Sequence, residues 1–209
     1  APLTRAGGEL VMRVVMVQGE EGDPEAIGVA AANALRQAMQ PTAPKAVIVS
    51  ECLEDRERKE RLLSGICRVL DQDVVYGGAT YGSFTQQGCT DFDSVCLLGI
   101  GGDGVAVSTA LVTALGTAQL SFDENRAEIQ TRLLAAGKTL GEKLVRQQQD
   151  KLLILMADAH SPKNQSLVEG VQQRLGGGFP ITGGSANKNA GQTFVYFQGR
   201  AYSDSAVAL

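Results

Sequence analysis

Two pairs of adjacent glycines are the residues of this sequence best suited to holding a small ligand: Gly77-Gly78 and Gly183-Gly184. Each pair follows a short apolar run that is typical of a buried strand, and open α/β sheets bind ligands beyond the carboxyl ends of their strands. Glycine lets the backbone approach a ligand closely and leaves N–H groups to hold a carboxylate or phosphate. The alternative interpretation is a sharp turn from strand to loop that requires positive φ and binds nothing.

Hydroxyl and aromatic side chains follow the glycines and could orient a small polar ligand, or could merely satisfy the polar groups of a loop backbone. A later segment adds Tyr202 and Asp204, whose carboxylate could recognise an ammonium group or cap a turn. The full predicted ligand-binding set is Gly77, Gly78, Thr80, Tyr81, Gly183, Gly184, Ser185, Tyr202 and Asp204. The spacing matches neither G-x-G-x-x-G nor a phosphate-binding loop, so a nucleotide site is not indicated.

The single histidine, His160, follows another predicted strand, where a general base beside a serine would be well placed. Paired with a nucleophile it would define a small hydrolase or transferase, because serine and cysteine need such a base at neutral pH. The candidate nucleophiles are Cys52, Cys89, Ser161 and Ser185. Nothing in the spacing selects one of them. We therefore predict a non-catalytic protein and keep the His160-dependent enzyme as the alternative.

The cysteines do not have the spacing of a metal or redox site. They are Cys52, Cys67, Cys89 and Cys96, separated by 14, 21 and 6 residues. Zinc and redox sites typically contain C-x-x-C spacings, which are absent from this sequence. We therefore expect buried thiols outside disulfides, with no metal site and no cofactor.

The composition is that of a globular protein with many tight turns: of 209 residues, 44% are hydrophobic, 20% are charged and 25 are glycine. A net charge of −4 argues against nucleic-acid binding, which needs a clustered basic face. The strongest charge cluster, 54–61, mixes both signs and is interpreted as a solvated helix start. No apolar run approaches the roughly 18–20 residues of a membrane span, so no membrane insertion is expected. Ala1-Pro2 fits a cytoplasmic protein, or a periplasmic or secreted one after removal of a signal peptide.

Hydrophobic periodicity predicts the elements that must position these residues. The predicted strands cover 10–17, 46–49, 74–76, 151–157 and 180–182, and the predicted helices cover 24–40, 55–70, 121–148 and 167–175. The same order of strand, helix, strand and Gly-Gly occurs twice. The paired blocks lie about 100 residues apart, which favours duplication of one α/β unit followed by divergence.

The predicted fold class follows from this repeated order. We predict an α/β fold in which an internally duplicated unit forms a mixed sheet with helices packed on it. Its two pseudo-twofold halves would cover about 8–100 and about 101–209. No linker divides them, and so a single domain over 1–209 is expected.

Two further segments have the pattern of antiparallel hairpins. In the first, 94–98 would pair with 105–115 across a glycine-rich turn. In the second, within 193–209, Gln198-Gly199 would form the turn and the chain would stop within a strand. We expect an open edge on that last strand, through which the protein could pair with another chain.

Taken together, the motifs resemble the N-terminal region of FIST domains. The resemblance rests on Leu63-x-Gly65-Ile66, on 74–82 and, most specifically, on 194–208, and it covers roughly 25–209. Ser205 stands where glycine is common in the family. The resemblance implies a sensory module for small ligands such as amino acids, commonly joined to a C-terminal companion region and to signalling domains. It supplies no established catalytic residues.

We therefore predict a non-catalytic sensory and signalling domain. It would bind a small polar ligand, an amino acid or another small polar anion, and transmit the bound state by shifting the packing of its halves. The expected partners are that ligand and either a second copy of the chain, forming a homodimer, or a companion C-terminal region or signalling domain. A partner-binding structural module, using the open terminal strand, is a further alternative.

Overall fold

The computed structural model describes residues 10–18, 22–81, 84–85, 88–89, 94–144, 150–158, 164–186 and 193–209. In chain order the elements are β1 (Val11–Gln18), α1 (Pro24–Met39), β2 (Pro44–Glu51), α2 (Arg56–Cys67), a 3-10 helix (Gln72–Val74), β3 (Val75–Ala79), β4 (Phe84–Thr85), β5 (Gly88–Cys89), β6 (Ser94–Gly101), β7 (Ala110–Val112), α3 (Phe122–Lys143), β8 (Leu153–Ala157), α4 (Asn164–Leu175), β9 (Ile181–Ser185), β10 (Val195–Phe197), β11 (Arg200–Tyr202) and β12 (Ala206–Ala208).

The described strands form two mixed sheets and a small ribbon in which β4 pairs with β5. The first sheet has the order β1-β6-β2-β3-β10-β11, and the second has the order β7-β12-β8-β9. In each sheet one neighbouring pair is parallel, β2 with β3 and β8 with β9. A helix, α2 or α4, connects the two strands of each parallel pair. Parallel neighbours require such a crossover, whereas antiparallel neighbours do not.

Capping residues set where the first two helices begin. The Asp23 carboxylate accepts the Glu25 N–H at 3.3 Å, and Pro24 supplies the φ of the first turn of α1. Asp55 accepts the Arg58 N–H at 2.8 Å and caps α2 in the same way. These boundaries confirm the predicted starts of both helices.

Glycines bring the two helices of each layer into backbone contact. A Cβ on Gly28 of α1 would overlap the Leu62 carbonyl oxygen of α2. A Cβ on Gly137 of α3 would overlap the Leu167 carbonyl oxygen of α4. The facing helices carry glycines in contact as well, Gly65 and Gly170. This packing explains why α3 has a glycine in its interior, where it lowers helix stability by about 1 kcal/mol relative to alanine.

Three apolar clusters show that the elements stack in four layers. One cluster lies between the first sheet and α1 and α2, and a second lies between the second sheet and α3 and α4. The third joins the two sheets, and its buried members are Ala46, Tyr76, Val195 and Val207. The order of layers is therefore helices, sheet, sheet, helices. Each helix pair covers the outer face of its own sheet, and the two inner faces pack on each other.

The predicted α/β fold with mixed sheets and packed helices is confirmed. The two sheets also share one topology: β1-β6-β2-β3 with α1 and α2 corresponds to β7-β12-β8-β9 with α3 and α4. The origin of this likeness by duplication stays a prediction. β10 and β11 follow β9 in the chain yet extend the first sheet beyond β3, so the two layers are interlocked by the chain itself.

The predicted hairpin between 94–98 and 105–115 is wrong. Both edges of β6 are occupied, by β1 and β2, and the chain leaves through Gly102, at φ +112°, towards the other sheet. There β7 pairs with β12. Sequence adjacency suggested pairing, but the two strands belong to different sheets.

The hairpin about Gln198-Gly199 is confirmed, since β10 and β11 pair antiparallel across that turn. The expected open edge on the last strand is wrong, because β12 lies between β7 and β8 with both edges paired. Its small apolar residues are fully buried, as a central strand requires. A homodimer or partner complex through that strand is therefore not available. Among the described residues, no helix is both long and apolar enough to cross a membrane.

Candidate functional site

The first glycine of each Gly-Gly pair is required by the sheet in which it lies. Gly77 has φ +147° and Gly183 has φ +132°, a region that favours glycine. A Cβ on Gly77 would overlap the Val49 carbonyl oxygen of the paired strand β2, and one on Gly183 would overlap the Leu155 carbonyl oxygen of β8. Close contact between neighbouring strands explains both residues without a ligand.

The second glycine of each pair has no such requirement. A Cβ on Gly78 would lie 3.4 Å from the Phe194 carbonyl oxygen and 3.8 Å from the Ala186 Cβ, which are ordinary contacts. A Cβ on Gly184 would meet no atom of the described residues within 4 Å. Packing within the described part of the chain therefore does not account for glycine at these two positions. The missing side chains leave space beside the backbone.

Both second glycines lie on the inner faces of the sheets. Side chains alternate between the two faces of a strand, so Gly78 shares the face of Tyr76, which packs in the inter-sheet cluster. Gly184 is in register with Met156, which packs against the same cluster. β3 thus contributes Tyr76 to the layer between the sheets but no side chain two residues later, towards the carboxyl ends of the strands.

Polar residues surround this thinned part of the inter-sheet layer. We define the inter-sheet mouth as Ser50, Gly78, Asp158, Gly184, Ala186 and Thr193, of which Gly184 is exposed. Ser50 is in register with Gly78 on the neighbouring strand and is half-buried. Asp158 directly follows β8 and is 5% exposed. Its carboxylate accepts a hydrogen bond from the Thr193 hydroxyl, so the mouth joins the end of the second sheet to the chain that enters β10.

The Asp158 carboxylate is also tied to the predicted site residue Asp204. The Asp204 N–H donates to the second oxygen of Asp158. The Asp204 carboxylate in turn accepts the Gly116 N–H at 2.7 Å and the Thr117 N–H at 3.2 Å. Asp204 thus caps the 114–117 turn, as the alternative reading of that residue proposed. Its neighbour Tyr202 is half-buried and packs against the inter-sheet cluster.

The remaining predicted residues lie at the ends of β3 and β9. Thr80 is half-buried, and its N–H donates to the Glu51 carbonyl at 2.7 Å. Tyr81 is 56% exposed. The exposed Ser185 hydroxyl accepts from the side-chain amide of Asn164, at the start of α4. Gly78 and Ala186 bring the two strand ends together, whereas Tyr202 and Asp204 are linked to the mouth through the last hairpin and Asp158.

Sequence reasoning missed a buried ionic cluster on the helix-facing side of the first sheet. Lys59 and Glu51 are fully buried, and the Lys59 Nζ lies 3.0 Å from Glu51 Oε1. The Tyr196 hydroxyl donates to the same carboxylate, and the Leu53 N–H donates to its other oxygen at 2.6 Å. Burial, and then the neighbouring Glu51 charge, raise the pKa of Tyr196 well above its ordinary value. Lys59 lies within the charge cluster that the sequence assigned to solvent, and that assignment is wrong for this residue.

The alternative catalytic residues are not brought together by the described part of the chain. His160 and Ser161 lie outside the described residues, as does the side chain of Cys89. Cys52 is 1% exposed and follows β2, whereas Ser185 ends β9 in the other sheet. In the described ranges, no group of three or more His, Cys, Asp and Glu residues is arranged to hold a metal ion. The described thiols, Cys52, Cys67 and Cys96, form no disulfide.

A shallow, open depression lies at the opposite end of the second sheet. It has a volume of about 430 Å³ and is lined by Asp150, Lys151, Leu175, Gly176, Gly178, Phe179 and Pro180. These residues stand at the amino ends of β8 and β9. Open α/β sheets bind their ligands at the carboxyl ends of the parallel strands, so this depression is not the candidate site.

The comparison with protein families agrees with this architecture. A sequence model of the FIST N domain matches residues 45–209, which is most of the chain. The chain belongs to the FIST N domain family, a family of sensory and signalling domains. The resemblance inferred from the motifs is thereby confirmed. No curated protein matches the sequence.

Proposed function

We propose that the chain is a sensory domain that binds a small polar ligand at the inter-sheet mouth. The observation that carries this proposal is the pair of second glycines, Gly78 and Gly184, on facing sheets. Each lies on an inner face, and packing within the described fold gives no reason for either to lack a side chain. Binding of a ligand between the sheets supplies that reason, since the backbone must be approached closely there.

The polar groups of the mouth favour a ligand that carries an amino group. The Asp158 carboxylate lies at the mouth, where it accepts hydrogen bonds from the Thr193 hydroxyl and the Asp204 N–H. Carboxylates recognise ammonium groups through charge-assisted hydrogen bonds, and the Ser50 hydroxyl can accept or donate beside one. An amino acid therefore fits the mouth better than a simple anion of the same size.

Transmission of the bound state would use the layer between the sheets. Among the described residues, that layer contains four buried members of its cluster, far fewer than the clusters that join each sheet to its helices. The contact between the sheets is therefore weaker than the contact of each sheet with its helices. A ligand bound at the mouth, by separating the sheets or drawing them together, would shift one sheet against the other. Thr193 donates to Asp158 and leads directly into β10, which couples the mouth to the first sheet. A companion region or signalling domain would read this shift.

A thermal-shift screen against amino acids and their des-amino carboxylic acids tests this proposal. A ligand present at about 100 times its Kd adds about 2.7 kcal/mol of apparent stability. We expect an amino acid to raise the Tm and the matching acid without the amino group to have little effect. Gly184→Leu should abolish the shift, because the added side chain would occupy the mouth. The fold should tolerate it, since an added Cβ meets no described atom within 4 Å.

The matched control is Gly177→Leu, at another glycine with nothing within 4 Å of an added Cβ, beyond the amino end of β9. This variant should keep the full response to the ligand. A response that survives Gly184→Leu and Gly78→Leu alike would place the ligand elsewhere and contradict the proposed site.

A further inference from the structure

The outer edge of β9 has no strand beside it among the described residues. β9 occupies in the second sheet the position that β3 occupies in the first, at the end of the order β7-β12-β8-β9. In the first sheet the same edge of β3 is paired with β10, the first strand of the β10–β11 hairpin. One of two topologically equivalent edges is therefore occupied, and the other has no partner strand in the described part of the chain.

The backbone groups on this edge can be identified from the hydrogen bonds to β8. The Leu153 N–H donates to the Pro180 carbonyl at 3.0 Å, and the Ala186 N–H donates to the Ala157 carbonyl at 2.8 Å. Alternate residues of a strand turn their polar groups to opposite sides, so the even-numbered residues of β9 bond β8. The odd-numbered residues present N–H and C=O groups outward, and they are Ile181, Gly183 and Ser185.

The corresponding residues of β3 are those that hold the hairpin. The Ala79 N–H donates to the Phe194 carbonyl at 2.9 Å, and the Gly199 N–H donates to the Val75 carbonyl at 3.1 Å. Val75 and Ala79 are in register with two residues of β2. Ile181 and Ser185 are in register with the two corresponding residues of β8. The two edges thus present the same row of donors and acceptors.

Burial and charge distinguish the two edges. In β3, Val75, Tyr76 and Ala79 are buried, whereas 182–185 of β9 are exposed. Natural proteins usually guard an open edge with a charge, a proline or a bulge. The five residues of β9 contain neither a charge nor a proline.

We propose that the edge of β9 is a docking site for an antiparallel β-hairpin of another polypeptide, with the chemistry of β10–β11. In the proposed complex, the first strand of the docked hairpin would be uncharged and aromatic. It would lie opposite Gly183, as Tyr196 lies opposite Gly77. In β10, Phe197 packs edge-on against Tyr76, with 5.5 Å between ring centres. β9 has Thr182 at the equivalent position, which leaves room for an aromatic side chain from the incoming strand. The proposal does not depend on the inter-sheet ligand.

The probe is a fluorescein-labelled synthetic peptide with the sequence of residues 193–203, titrated with the full chain and followed by fluorescence anisotropy. We expect saturable binding. Ser185→Pro removes one outward N–H and no bond to β8, and should weaken binding at least about ten-fold. Ser185→Ala keeps that N–H and should bind as the unmodified chain does.

A second pair of probes tests the edge without altering the protein. N-methylation of the peptide at Tyr196 blocks the N–H that would face β9. N-methylation at Ala201 blocks an N–H on the opposite edge of the hairpin, away from β9. The first peptide should lose binding and the second should keep it. Equal binding of both peptides, or undiminished binding to Ser185→Pro, overturns the proposal. So does a stable dimer that Ser185→Pro converts to a monomer, because a second copy would then cover this edge.

Discussion

At the scale of single residues, the least expected feature is the fully buried pair of Lys59 and Glu51. Its two charges are removed from water, and desolvation of a buried pair offsets much of the attraction within it. The pair therefore specifies the packing of α2 on β2 more than it stabilises the fold. Lys59 lies among exposed charges of alternating sign, and helical periodicity cannot tell which of several neighbouring charges turns inward. Only the position of Tyr196, more than a hundred residues later, completes the cluster.

Removal of the Lys59 charge should destabilise the protein strongly. Lys59→Met leaves the Glu51 carboxylate buried beside apolar groups, and loss of one partner of such a pair costs about 3–5 kcal/mol. Urea denaturation followed by circular dichroism measures the change. The same substitution at the exposed Lys151 is the control, and it should alter the free energy of unfolding by less than about 0.5 kcal/mol. Equal effects at both positions would contradict the buried pair.

The raised pKa of Tyr196 predicts a loss of stability at alkaline pH. In the unfolded chain this tyrosine ionises near pH 10, whereas burial and Glu51 keep it protonated in the folded protein to a higher pH. The unfolded state then binds fewer protons, so the free energy of unfolding falls as pH rises above about 10. The slope for one such group approaches 1.4 kcal/mol per pH unit.

Urea unfolding of wild type and Tyr196→Phe between pH 8 and 11 isolates this contribution. The variant lacks the ionisable hydroxyl, and its stability should fall less steeply above pH 10. Parallel slopes for the two proteins would show that Tyr196 ionises alike in both states.

At the scale of elements, the sequence was most informative where local chemistry acts alone. Asp23-Pro24 marks the start of α1, and Gln198-Gly199 marks the last turn, because caps and turns depend on adjacent residues. Strand partners were predicted less well. β6 has the length and composition of a hairpin arm, but its neighbours β1 and β2 come from distant parts of the chain. The Gly-Gly pairs lie within β3 and β9 and not in loops after them, and the fold itself accounts for the first glycine of each. Their role in ligand binding stays a prediction.

The close helix contact at Gly137 should not tolerate a methyl group. Alanine raises helix propensity by up to about 1 kcal/mol, but its Cβ would overlap the Leu167 carbonyl oxygen, and overpacking typically costs about 1–3 kcal/mol. We expect a net destabilisation of Gly137→Ala in urea denaturation. Gly177→Ala, where space is open, should leave stability within about 0.5 kcal/mol of wild type. A stabilised Gly137→Ala protein would contradict the helix contact.

At the scale of the whole molecule, the two layers are not independent halves. The similar order of elements in 8–100 and 101–209 predicted two units, and the two sheets do share a topology. The sequence did not reveal that the hairpin following β9 joins the other sheet, or that the inner faces of the sheets pack together. Both depend on which apolar surfaces meet in space, and a continuous apolar run shows only that both faces of its strand are covered. The inter-sheet mouth could not be predicted for the same reason.

Separate expression of the two halves should show this interdependence. A fragment of residues 1–104 lacks β10, and with it Phe194 and Tyr196 of the first apolar cluster. We expect it to unfold without a cooperative transition in urea, and to have poorly dispersed amide signals in its NMR spectrum. Mixing with a fragment of residues 105–209 should restore both properties. Cooperative unfolding of the first fragment alone would contradict an interlocked fold.

The pairing of β10 with β3 also delays completion of the first sheet while the chain is synthesised on the ribosome. β3 emerges from the ribosome about 120 residues before its neighbour, and at about 5–20 residues per second that delay is on the order of ten seconds. Throughout this interval the outer edge of β3 lacks its partner strand. The Glu51 carboxylate, which is buried in the folded protein, lacks its hydrogen bond from Tyr196. A nascent chain in this state is prone to pair with others, so molecular chaperones that bind it early would govern the yield of folded protein.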